Sequence, residues 1–178
     1  FNEDEVNECG DFFKRFGADI ETLSIVSCDI SERKLQSILQ STKNLRQLQI
    51  QQCSDLFISG RFLTDSNLLL ENVTCLSLAL NRHLTDLLFN RITQAMPNLS
   101  SLDLSGNTIS FHKGLHKKFY PGSHDEECGS KTVFTSFFIQ KFLQKRASKI
   151  KELTFNSTLI DGQGARLLDI NLCPFMYI

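Results

Sequence analysis

Leu99-Ser100-Ser101-Leu102-Asp103-Leu104-Ser105-Gly106-Asn107-Thr108-Ile109 is the stretch from which the fold can be read. Apolar residues stand at its first, fourth, sixth and eleventh places, and Asn107 stands at the ninth. Leu102 and Leu104, two apart, face the same side of a short strand. Asn107 falls where the chain turns away from the sheet. A small hydrogen-bonding side chain there can satisfy backbone groups that would otherwise be buried unpaired.

The pattern recurs on both sides of this stretch. Upstream lie Ile20-x-x-Leu23-x-Ile25-x-x-Cys28-x-Ile30, Leu45-x-x-Leu48-x-Ile50-x-x-Cys53 and Val73-x-x-Leu76-x-Leu78-x-x-Asn81. Downstream lies Ile150-x-x-Leu153-x-Phe155-x-x-Thr158-x-Ile160. The sixth place advances 25, 28, 26 and 51 residues from copy to copy. The last step is close to two periods, yet no further copy lies inside it. Self-similarity at such a period is the mark of a stacked repeat array. Leu48 and Leu76 are expected in its interior, and Cys28 and Cys53 are expected as internal turn residues rather than nucleophiles.

A helix is expected after each turn, covering the outer side. In residues 31–41, Leu35, Ile38 and Leu39 have the spacing of one buried face, with Ser31 as N-cap. Residues 85–96 repeat this with Leu88, Ile92 and Met96, and Pro97 closes the helix. Residues 135–147 carry Phe138, Phe142 and Leu143 in the same manner. The ends read as partial copies. Phe1-Asn2 and Val6 match Phe155-Asn156 and Ile160, residues 11–16 follow as that copy's helix, and residues 161–168 open another outer segment. Neither end offers a polar cap, so the array is expected to continue beyond at least one of them. Residues 1–178 thus read as one domain, about five full repeats with partial terminal ones, interrupted by a loop insertion at 111–131.

The pattern LxxLxLxxC, its period near 26 and the Leu84-Thr85-Asp86 tripeptide opening a helix resemble the cysteine-containing class of leucine-rich repeats. The stretch FFKRFGADIETLSIVSCDIS, residues 12–31, is similar to the entry repeat of F-box proteins. The resemblance implies an α/β fold, a right-handed leucine-rich-repeat solenoid or horseshoe with an inner parallel sheet and outer helices. It also implies the substrate-recognition repeats of a ubiquitin ligase receptor, which would meet a Skp-type adaptor and a cullin only through a segment outside this chain. Pro97, Pro121 and Pro174 lie in no context resembling the F-box itself, and two copies carry Asn and one Thr in place of Cys.

The inner sheet face is the expected recognition surface, because its curvature makes an extended platform. The places between the apolar letters give Glu21, Thr22, Ser24, Val26 and Ser27, then Arg46, Gln47, Gln49, Gln51 and Gln52. The third copy gives Thr74, Cys75, Ser77, Ala79 and Leu80, with Leu80 and Cys75 exposed in need of a partner or cover. Ser100, Ser101, Asp103, Ser105 and Gly106 follow, then Lys151, Glu152, Thr154, Asn156 and Ser157. Arg46, Gln47, Gln49, Gln51, Ser77, Asp103 and Thr154 are the expected contacts for a protein substrate or ligand.

The insertion holds His112-x3-His116 and His124-x3-Cys128, ligand types that could close a tetrahedral zinc site. Lys113, Lys117, Lys118, Asp125, Glu126 and Glu127 around them are those of a solvated loop, and no metal or other cofactor is expected. Nucleophile-elbow, Walker and HExxH motifs are absent, so no catalytic site is expected.

In the full 178 residues, 19 Lys and Arg nearly cancel 20 Asp and Glu. That balance disfavours nucleic acid and anionic membrane as partners. No apolar run approaches the roughly 18 residues of a membrane span. The six cysteines form no CxxC pair and suit free thiols, which points to an intracellular protein. The sequons Asn72-Val73-Thr74, Asn98-Leu99-Ser100 and Asn156-Ser157-Thr158 would matter only in a secreted chain. They leave open the ectodomain of a leucine-rich-repeat receptor, beside another intracellular scaffold of the same repeats.

Overall fold

A computed structural model describes residues 11–64, 67–110, 124–125, 129–146, 148–156 and 176–177. The partial copies expected at residues 1–6 and 161–168 lie outside the described residues. So do His112, His116 and Cys128.

The chain is α/β. Strands β1 (Thr22–Val26), β2 (Gln47–Gln51), β3 (Cys75–Ser77), β4 (Ser101–Asp103), β7 (Glu152–Thr154) and β8 (Met176–Tyr177) form one open sheet in that order, every pair parallel. A short antiparallel pair, β5 (His124–Asp125) and β6 (Gly129–Ser130), stands apart from it. The register follows the sequence pattern: Leu23, Leu48, Leu76, Leu102 and Leu153 are Cα partners across successive strands. One-residue slips would turn every such side chain to the other face. Burial on that side enforces the alignment. Leu48 and Leu76 are buried as expected, beside Ile50, Leu78, Leu102, Leu104 and Leu153.

Besides a short helix over residues 11–16, the described residues form three longer α-helices, which pack on this side. They are α1 (Glu32–Ser41), α2 (Asp86–Gln94) and α3 (Ser136–Arg146). Each begins with a hydroxyl that accepts from a backbone amide three residues on: Ser31 from Lys34, Thr85 from Leu88, Thr135 from Phe138. Their buried residues include Leu35, Ile38 and Leu39, then Leu88, Phe89 and Ile92, then Phe138, Ile139, Phe142 and Leu143. Phe89 joins α2 to α3, its ring centroid 5.1 Å from Phe134 and 5.0 Å from Phe142. At the far end Arg146 Nη1 donates to the Pro97 carbonyl (2.7 Å) and Lys149 Nζ to the same oxygen (3.0 Å). Cations there complement the carbonyl end of α2.

The second copy departs from the expectation of a helix after each turn. Its outer segment is a 3-10 turn, Ser54–Phe57, followed by further turns and an irregular stretch over 67–70. Leu56, Phe57, Phe62, Leu63 and Leu70 fill the interior there. Phe57 and Phe62, five residues apart, would point to opposite sides of a helix, yet both are buried. Gly60, at φ +65°, breaks the run as well.

The step of 51 residues is resolved by direct pairing of β4 with β7. The intervening chain leaves after Ser110 and returns beside it, with Ser110 N donating to Phe134 O (2.8 Å) and Ser136 N to Ser110 O (3.0 Å). The expected insertion is not loop throughout, since Gly129 and Ser130 at its end are buried.

Candidate functional site: the polar face of the parallel sheet

The strand side chains that point away from the helices form columns across the sheet. Ser24, Gln49, Ser77, Asp103 and Thr154 make the central column, because strand register aligns them. Gln47, Cys75, Ser101 and Glu152 make the neighbouring one. Ser24 Oγ donates to Gln49 Oε1 (3.0 Å), and Gln51 Nε2 donates to Ser77 Oγ (2.9 Å). Ser77 Oγ in turn donates to Asp103 Oδ2 (2.8 Å), while Asp103 Oδ1 accepts from Ser105 N (2.9 Å) and from Ser105 Oγ. Ser105 Oγ also accepts from Asn156 N (3.0 Å). A hydrogen-bonded line therefore crosses β2, β3 and β4 and ends on the backbone just beyond β7. It holds these groups in fixed orientation before anything binds, which reduces the ordering cost of binding.

The structure places the expected contacts unequally. Arg46 and Gln47 are exposed, Gln49, Gln51, Asp103 and Thr154 are partly buried, and Ser77 is buried. Ser77 and Ala79 are thus corrections to the expected exposed strip: both are buried, Ser77 between Gln51 and Asp103 of the adjacent strands. Ser77 acts on the surface through Gln51 and Asp103. Arg46 Nε lies 3.8 Å from Glu21 Oε2. The pair borders a cleft of about 430 Å³ lined also by Ala18, Asp19, Asn44 and Asn72. Val26 (50% exposed) and Leu80 (48%) supply apolar surface at the other ends of the strands.

The left-handed backbone of one column was missed. Ser27, Gln52, Leu80 and Gly106, each just before the ninth place of its copy, all have positive φ, from 50° to 67°. Their N–H groups donate to the following strand's edge, Gln52 to Ala79 O (3.1 Å) and Leu80 to Ser105 O (2.8 Å). The only sequence signal for this was Gly106. A side chain there would collide with Leu80, whose own side chain covers the glycine.

Of the ninth-place residues, Cys53, Asn81 and Asn107 behave as expected of internal turn residues, Cys28 is only partly buried, and Thr158 lies outside the described residues. Asn81 Nδ2 donates to Ile50 O (2.7 Å) and Leu78 O (2.9 Å), and its Oδ1 accepts from Cys53 N (3.0 Å). Asn107 does the same one copy later, donating to Leu78 O and Leu104 O and accepting from Asn81 N. The single Cys53 S–H lies within donating reach of Ile25 O (3.6 Å) and Gln51 O (3.3 Å), and burial pushes its thiol pKa up. That shift disfavours the thiolate, the reactive form. Cys28, Cys53 and Cys75 are free thiols. Among the described residues no group of three metal-ligating side chains comes together, and no helix is long and apolar enough to cross a membrane.

Compared with protein-family models, curated proteins and solved structures, the chain has no match.

Proposed function

We propose that this chain is a leucine-rich-repeat solenoid of the cysteine-containing class whose inner sheet face binds a protein partner. The horseshoe reading is supported by parallel strands stacked in chain order and by the Cys53, Asn81 and Asn107 side chains that tie one copy to the next. The observation that carries the binding reading is the preorganised polar line from Gln51 through Ser77 and Asp103 to Ser105. Amide side chains beside it donate and accept together, which suits a polypeptide surface. The particular role is substrate recognition within an F-box-type ubiquitin ligase receptor, inside the cell, with the Skp-type adaptor and cullin engaged outside residues 1–178. That part rests on the repeat class and on the likeness of residues 12–31 to F-box entry repeats.

The receptor-ectodomain alternative draws on the sequons. Asn72 and Asn98 already commit their side-chain nitrogens to backbone carbonyls, those of Lys43 (3.0 Å) and Glu71 (3.0 Å).

The test is affinity purification of the full-length protein beside a variant with Arg46, Gln49 and Gln51 all changed to Ala. A few residues usually dominate an interface, so the three are changed together. Both proteins should recover the adaptor and cullin, and the variant should lose a distinct third protein. Recovery of no ligase component refutes the ligase role. Retention of every partner by the triple variant refutes the sheet face as the binding surface.

A further inference from the structure

Positive charge is concentrated over α3. Residues 136–150 carry Lys141, Lys145, Arg146 and Lys149 and no acidic residue. The whole chain carries −1, so these four cations leave −5 on all the other residues. Asp86, the one acid on α2, is 1% exposed at that helix's first turn, where Ser130 N (3.0 Å) and Thr135 N (2.7 Å) donate to its carboxylate.

A cleft of about 120 Å³ lies between α2 and α3, away from that turn. The buried rings of Phe138 and Phe142 form its floor. Asn90 and Gln94 stand on its α2 side, and Lys141, Lys145 and Arg146 on its α3 side. Gln94 Nε2 donates to Asn90 Oδ1 (3.3 Å), which leaves the Asn90 amide nitrogen as a donor beside the cleft. Arg146 is held by the Pro97 carbonyl (2.7 Å), with its guanidinium carbon 5.9 Å from the centre of the Phe142 ring. Phe137, 54% exposed, stands one helical turn before Lys141, and Lys145 stands one turn after it.

We infer that this cleft and the stripe beside it dock an acidic polypeptide segment. One carboxylate of the segment sits between Asn90 and Lys145, and an apolar side chain lies against Phe137. The surface is on the helix side of the molecule, so the inference is independent of what the sheet face binds.

Charge complementarity selects the occupant. Four cations without an accessible acid beside them call for a run of carboxylates. The cleft is far below the roughly 300 Å³ of a small-molecule site, and it takes a single side chain. A glutamate suits it, with its methylenes on the phenyl rings and its carboxylate accepting charge-assisted hydrogen bonds at the rim. A nucleic acid or an anionic bilayer would extend past the four cations onto residues that carry −5 and repel it. A short acidic segment ends within the patch.

Fluorescence anisotropy tests this, with a labelled peptide of consecutive glutamates ending in phenylalanine titrated with the full chain at low salt. The peptide should saturate one site, and its glutamine analogue should not bind. Lys145→Gln combined with Asn90→Ala should weaken binding about tenfold, as expected for the loss of one surface ion pair and one hydrogen bond. Lys145→Arg should retain it, as should the variant with Arg46, Gln49 and Gln51 changed to Ala. Equal binding of the glutamine analogue, an equal loss in Lys43→Gln outside the cleft, or tighter binding of a single-stranded oligonucleotide or of phosphatidylserine vesicles each overturns the inference. Should the double variant not fold, the unaltered chain still decides. Peptide that shifts the side-chain amide resonances of Asn90 and Gln94 supports the cleft, and peptide that shifts those of Gln49 and Gln51 instead refutes it.

Discussion

Asn72 and Asn81 belong to the same repeat, and each donates its side-chain amide to a carbonyl of the repeat before it. They differ in where they do so. Asn81 is 1% exposed and ties together Ile50 O, Leu78 O and Cys53 N behind the ends of the strands. Asn72 is exposed and reaches Lys43 O on the side where the strands begin. It belongs to a second column, with Asn44 donating to Ala18 O (2.8 Å) and Asn98 to Glu71 O (3.0 Å). Lys149 Nζ takes the corresponding place in the last copy by reaching Pro97 O. Identical bonds in the two columns have unequal worth. Water can replace the outer bond when it is lost, whereas the inner groups would be left buried and unpaired.

The largest effect expected from breaking the inner column is that of Asn81→Ala. Ile50 O and Cys53 N lose their Asn81 bonds at once while Leu78 O keeps that of Asn107, so a loss of about 2 kcal/mol or more in unfolding free energy is expected. Urea unfolding followed by circular dichroism measures it. A change under about 1 kcal/mol would mean that water enters behind the strands.

Cys53→Ala is the intermediate case. The thiol is a weak donor, and Asn81 still accepts from the residue-53 amide after the change. About 1–2 kcal/mol is expected from the lost sulfur packing and weak bonds. A loss as large as that of Asn81→Ala would place the cysteine on a par with the asparagines and erase the distinction drawn between them.

Smallest is Asn72→Ala, with an expected loss under about 1 kcal/mol because Lys43 O can turn to solvent. Thermal unfolding of the variant beside the unaltered chain is sensitive enough to detect it. A loss equal to that of Asn81→Ala would show that the outer column is shielded from water after all.

Much of this was legible in local patterns. Apolar residues two apart marked the strands, Ser31 and Thr85 marked helix starts, and the ninth-place Cys and Asn were read as internal turn residues. The columns of the sheet face followed from the same alternation. Ser77 was misread because alternation predicts which side a residue faces, not how far Gln51 and Asp103 on adjacent strands cover it. The helix expected in the second copy failed at Gly60, whose positive φ interrupts the run.

Strand pattern, register and the starts of the helices can be read from the chain alone, since each depends on residues within a turn or two of one another. The left-handed column at Ser27, Gln52 and Leu80, the outer asparagine column and the burial of Asp86 by residues 129–135 emerge only once the copies pack together. They depend on groups far apart in the chain. The bond from Asn98 to Glu71 O spans 27 positions, that from Asn72 to Lys43 O spans 29, and that from Thr135 to Asp86 spans 49. No local window of sequence contains both partners, so stacking one copy on the next is what brings them within reach.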